Sequence, residues 1–152
     1  METTEIGRAL VAALASVPDP RSAQGRRHPL PAILALATAA MLSGARSLYA
    51  IGQWGRCQPP EVLTALGFTH AATPAVSTLH LVFKQVDAAA VEAALVRWAQ
   101  AMLGDETAAI AVDGKALRGT YREAIPGLEV MAAYATEAGL VLAQAGGEAR
   151  CA

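Results

Sequence analysis

The run Leu30-Pro31-Ala32-Ile33-Leu34-Ala35-Leu36-Ala37-Thr38-Ala39-Ala40-Met41-Leu42 carries no charge and a single hydroxyl. Alanine and leucine are the strongest helix formers. Pro31 falls in a first turn, where its missing N–H costs nothing, and Gly44 stands just past the end, where helices terminate. A helix that is apolar all round has no face to offer water, so it must be surrounded by other helices. It is also shorter than the roughly 20 residues needed to cross a bilayer. The run therefore predicts the centre of a helical assembly and no membrane span.

The flanking sequence supplies the surrounding helices. Residues 3–16 place Ile6, Leu10, Ala13 and Leu14 at helical spacing, with Thr3 or Thr4 as cap and Pro18 as terminator. Between that helix and the central run, residues 18–29 (PDPRSAQGRRHP) are rich in breakers and basic groups and predict a loop. Residues 47–57 and 60–66 read as shorter helices, and 67–74 as a loop. Residues 77–84 read as another helix capped by Ser77. Residues 88–103 form an amphipathic helix with a stripe of Val91, Leu95, Trp98 and Met102, closed by Gly104.

After Gly104 the pattern changes. Residues 108–112 are short, apolar and followed at once by Asp113-Gly114. Residues 128–136 and 140–144 predict two further strands joined by a turn at Glu137-Ala138-Gly139. The expected organisation is a helical domain at 1–104, three strands within 105–145 and a disordered tail at 146–152. Three strands with no helix to cover them make a poor independent fold.

Composition narrows the function. Of 152 residues, 54% are hydrophobic and 16% charged, which supplies a core. The net charge of −1 excludes a strongly electropositive nucleic-acid binder and leaves room for a local basic patch. That balance is uneven, with eight Lys/Arg against six Asp/Glu in 1–104 and four against seven in 105–152. Cys57 and Cys151 form no metal or redox spacing, and residues 1–15 do not read as a secretory signal, so a cytoplasmic chain without membrane attachment is expected. There is no glycine-rich phosphate loop and no G-x-S-x-G, and the serines at 16, 22, 43, 47 and 77 have no identifiable base. His70 and His80 have no partner at metal or triad spacing, and Trp54 and Trp98 read as core residues.

Two groups of residues remain as candidates for chemistry. Asp113 follows an apolar strand, with Lys115 and Arg118 close behind. A carboxylate held at a strand end suits metal-assisted phosphoryl transfer, because Mg²⁺ demands fixed carboxylate oxygens; Lys115 and Arg118 are placed to hold phosphates. Asp-Gly is equally a common hairpin turn. The second group is the basic loop with Arg21, Arg26, Arg27 and His28, which suits either a DNA backbone or a loop stapled by its own arginines to Asp19 and the helix ends.

Five segments, in order and in register over about residues 6–144, carry a resemblance to a known family. Asp19-Pro20-Arg21, then Gly25-Arg26-Arg27-His28-Pro29-Leu30, then the apolar helix ending in Ser43-Gly44-Ala45-Arg46-Ser47 resemble the N-terminal region of H-repeat-associated insertion-sequence transposases, of the DDE superfamily. Thr73-Pro74-Ala75-Val76-Ser77-Thr78-Leu79-His80, with Val86-Asp87 after it, is similar to the family's entry into a helix. Ile110-Ala111-Val112-Asp113-Gly114-Lys115-Ala116-Leu117-Arg118-Gly119 is similar to its DGK-x-x-RG block, and Tyr134 through Leu142-Ala143-Gln144 to its next two strands.

The resemblance implies a mainly α N-terminal domain followed by the first strands of an incomplete RNase H-like α/β domain. It implies Asp113 as the first of an Asp-Asp-Glu triad holding two divalent metals, Mg²⁺ in the full-length family. It implies DNA, at transposon ends, as partner, with a homo-oligomer or a full-length transposase as a further partner. Lys115, Arg118, Arg21, Arg26 and Arg27 would face DNA or phosphate. Glu129 stands where the family tends to have histidine, and Leu81 where it tends to have arginine. Glu123, Glu129, Glu137 and Glu148 do not match the second Asp or the Glu of the triad. One carboxylate cannot clamp two metal ions about 4 Å apart, so a truncated transposase, inactive alone, is expected. Two alternatives stand beside it: a DNA-binding or self-associating helical module without catalysis, and a decayed product.

Overall fold

A computed structural model describes the backbone of residues 3–103, 110–116, 128–135 and 140–148, and the side chains of 4–24 and 26–102. Residues 3–103 are helical: α1 (Thr3–Leu14), a 3-10 turn at Ala23–Gly25, α2 (Leu30–Leu42), α3 (Leu48–Arg56), α4 (Pro60–Ala65), α5 (Val76–Gln85) and α6 (Ala88–Leu103). The strands are β1 (Ile110–Ala116), β2 (Leu128–Ala135) and β3 (Leu140–Glu148). The chain divides into two compact units, Met1–Leu95 and Val96–Ala152.

In the first unit α2 is the centre, as its composition predicts. Leu30, residues 32–37 and Ala40 are buried. Helix α1 packs on α2 and α4, and α3 packs on α2 and α5. The one hydroxyl in the run, Thr38, donates back to the Leu34 carbonyl at 2.9 Å, so that polar atom is satisfied inside its own helix. Burial stops at the last turn, where Leu42 is 69% exposed.

Glycine ends two of these helices in the same way. After α2, Gly44 adopts φ +98°, its N–H donates to Met41 O at 3.0 Å and the Ala45 N–H reaches Ala40 O at 2.9 Å. After α4, Gly67 adopts φ +86°, its N–H donates to Thr64 O and the Phe68 N–H to Leu63 O, both at 3.0 Å. These are Schellman closures, which need a left-handed residue that glycine supplies without steric penalty. The second one turns Phe68 inward, where it is buried.

The start of α5 and the buried positions of α6 depart from expectation, and α6 has a cap that the pattern did not name. Helix α5 begins at Val76 with Ala75 as its cap, so Ser77 lies inside the first turn and caps nothing. Helix α6 is capped by Asp87, whose Oδ1 accepts from Ala89 N at 3.0 Å and Ala90 N at 3.3 Å. The buried positions of α6 are Ala94 and Ala99, whereas Val91, Leu95, Trp98 and Met102 are half-buried. Trp54 is half-buried as well.

The three strands form an antiparallel sheet in the order β1-β2-β3. Pairing of β1 with β2 is continuous from Ile110↔Ala135 to Ala116↔Glu129, and β2 and β3 shift register between Ala133 and Tyr134. Strand β3 runs to Glu148, into the segment expected as a tail. Among the described residues, no helix is long and apolar enough to cross a membrane.

Candidate nucleic-acid interface

The basic loop before α2 is a closed clasp. The Asp19 carboxylate accepts from Arg21 Nε at 2.9 Å and from Nη2 at 2.8 Å, and it also accepts from the Arg21 backbone N–H at 3.0 Å. Such a bidentate pair is both strong and directional. Arg21 Nη2 then donates to the His28 carbonyl at 2.9 Å, tying the start of the loop to its end. Arg26 wraps over the same turn, donating to the Arg21 carbonyl through Nη2 at 2.8 Å and Nε at 3.1 Å, with Nε 3.5 Å from Asp19. The Arg21 guanidinium holds the Asp19 carboxyl below the ordinary carboxylate range.

The candidate cations therefore fall into different roles. Arg21 is 9% exposed and committed to Asp19 and the His28 carbonyl, so it is a structural staple within the loop. Arg26 is half-exposed and partly engaged in the same clasp. Arg27 is exposed, with no ion-pair partner among the described residues.

His28 is the unusual member. It is 8% exposed, the one buried polar or charged residue among the described ones. Its ring meets Phe68 edge-on at 5.7 Å, with an interplanar angle of 69°. Burial, reinforced by the positive charge of Arg27, holds His28 below its ordinary pKa of 6.5 and thus neutral. The sequence names this histidine as part of a basic loop. That it is buried depends on Phe68, forty residues on, and no local pattern signals the contact.

A cavity of about 240 Å³ opens beside the clasp, with Arg21, Arg27 and His28 on the loop side and Thr73, Ala75 and Thr78 around the start of α5. A second hollow of about 350 Å³ shares Thr73 and Ala75 and extends toward Arg56 and Gln58. His70 and His80, read as structural, are both exposed. Among the described residues no group of three or more His, Cys, Asp or Glu is arranged to hold a metal ion.

Asp113 lies within β1, paired with Ala132, and Lys115 pairs with Val130. The strand continues through Asp113-Gly114 to Ala116, so this dipeptide is not the bend of a hairpin. Arg118 lies outside the described residues.

The family described as DDE_Tnp_1-associated matches residues 11–99, more than half of the chain. The chain belongs to this transposase-associated family. Among curated proteins it is similar to the "Uncharacterized protein in dhlA 3'region" of Xanthobacter autotrophicus, with 33% identity over 132 residues. That alignment takes in 84% of this chain and 44% of the relative, so the chain spans less than half of the relative's length. No solved structure matches the chain.

Proposed function

We propose that this chain is the N-terminal part of a DDE-type DNA transposase of the H-repeat-associated kind, acting in the cytoplasm on transposon ends. The observation that carries this reading is the order of its parts: a transposase-associated domain over residues 11–99, followed directly by the Asp113-Gly114-Lys115 strand. Asp113 is the first metal-binding carboxylate of an RNase H-like sheet of which β1, β2 and β3 are the opening strands, with Lys115 and Arg118 beside the DNA. The helical domain positions DNA or a second transposase chain.

Mg²⁺ is the metal this chemistry requires, and a two-metal site clamps the attacking and leaving oxygens of a phosphodiester. The residues present do not complete such a site, since a single aspartate offers one carboxylate. Residues 1–152 alone are therefore inactive in strand cleavage, and the other two acids come from elsewhere. Incubating the purified chain with Mg²⁺ or Mn²⁺ and a matching element end tests this. No nicking is expected, and nicking that disappears in Asp113→Asn would overturn the proposed inactivity. The DNA beyond the codon for Ala152 provides the second test: a continuation, in any frame, encoding an Asp and a Glu with RNase H-like spacing is expected. A flanking sequence lacking both would leave a helical DNA-binding or self-associating module as the better reading.

A further inference from the structure

The cavity between the basic clasp and α5 combines three features that each favour an anion. Helix α5 has ten residues and starts with Ala75 as a cap whose side chain accepts no hydrogen bond from the first turn. Its first intrahelical bond of this kind is Leu79 N to Ala75 O at 3.1 Å, which leaves the N–H groups of Val76, Ser77 and Thr78 directed out of the helix end. An uncapped N-terminus of this length presents free donors and the positive end of the helix dipole. Arg27 supplies a full charge on the cavity wall, and Thr73 and Thr78 supply hydroxyls.

The independent pointer is His28. It is more than nine-tenths buried, it lines this cavity, and no described residue hydrogen-bonds to its ring nitrogens. The side chain is withdrawn from bulk water while its ring nitrogens stay open to the cavity, where a hydrogen-bonding ligand can reach them. Phe68 offers the ring no oxygen or nitrogen, so its polar atoms are left to whatever occupies the cavity, water or an anion.

We propose that this cavity is a phosphate-binding site, in which one backbone phosphate of duplex DNA is held by the first-turn N–H groups of α5, the His28 ring and Arg27. Naming DNA as the source of that phosphate rests on the transposase reading above; the phosphate chemistry does not. The clasp has a part in this: by tying Arg21 to Asp19 and to the His28 carbonyl, it fixes the backbone on which Arg27 and His28 sit. Burial is the main cause that lowers the His28 pKa, and Arg27, His70 and Arg21 act in the same direction. A phosphate acts in the opposite direction, so binding raises the pH at which His28 titrates.

The test uses the full 152-residue chain and two probes. In the first arm inorganic phosphate is titrated at millimolar concentration while backbone amide and imidazole NMR signals are followed. The expected result is saturable shifts at Ser77, Thr78 and the His28 ring, an upward move of the His28 titration, and loss of these shifts in Arg27→Ala. Arg27 is exposed, so that variant keeps the fold; Arg46→Ala, remote from the cavity lining, keeps the shifts. Absence of shifts at these positions overturns the site, whether or not DNA binds elsewhere on the chain. In the second arm binding to duplex DNA is measured against salt. Arg27→Ala is expected to lower the slope of log K against log salt by about 1, and inorganic phosphate to compete. Phosphate shifts at the predicted amides without any DNA binding would keep the anion site and overturn its assignment to DNA, while the transposase reading is judged separately by the flanking-sequence test.

Discussion

Arg21 and Asp19 meet as a bidentate pair, with Nε and Nη2 on the two carboxylate oxygens at 2.9 and 2.8 Å, and the same guanidinium reaches across the loop to the His28 carbonyl. Both side chains are mostly withdrawn from water, at 9% and 19% exposure. Removing one partner leaves the other charge poorly solvated, which costs more than the pair itself contributes. Asp19→Ala is expected to destabilise the chain by about 2 kcal/mol, read as a lower urea midpoint at unchanged slope. A change within ±0.5 kcal/mol would show that the clasp is a surface feature.

Acid should destabilise the protein in two separate windows. His28 has a lowered folded pKa, so below 6.5 the unfolded chain takes up a proton that the folded one refuses. Its contribution is therefore present above 6.5 and is lost as pH falls from there. Asp19 is also lowered from 3.8, and its contribution, present above 3.8, is lost as pH falls through the folded value. Urea unfolding between pH 7 and 5 is expected to show stability falling with pH in the wild type and a flatter profile in His28→Gln. Equal slopes in both would assign the loss to other groups.

Gly67 sits at φ +86° in the closure that aims Phe68 at His28. A Cβ there would also come within 3.3 Å of the Val11 side chain. Gly67→Ala is expected to cost about 1–2 kcal/mol, the usual penalty for an L-residue in the left-handed region. Since the turn positions Phe68, the ring-current shift of the His28 signals should move too. Thermal unfolding unchanged in this variant would rule out a required left-handed residue.

Two leucines of α2 should behave oppositely despite sharing a helix. Leu36 is fully buried and Leu42 is 69% exposed. Leu36→Ala is expected to cost about 3 kcal/mol, as transfer and cavity terms add. Leu42→Ala should remain within about 0.5 kcal/mol. Equal losses would mean that the end of α2 is covered in solution, which a measurement of oligomeric state would then check.

The central helix was legible from its residues because an uncharged run of alanine and leucine has few other ways to exist in water. Its ends were legible too, since Pro31 and Gly44 act through their own backbone. One cap was read less well: Ser77 has the right chemistry but lies two residues past the cap position of α5, which Ala75 occupies.

At the candidate interface the sequence alone determined which residue types were available: three arginines, one aspartate and a histidine between prolines, ahead of an apolar helix. It also determined the order of a transposase-associated domain and an aspartate-bearing strand. Only the tertiary structure separated Arg21, turned inward to Asp19, from Arg27, turned outward, and only it buried His28 against Phe68 beside an uncapped helix end. The physical reason is range. Helix formation and termination depend on neighbours within a few residues, whereas the burial and charge balance of a polar group depend on whatever the folded chain brings against it.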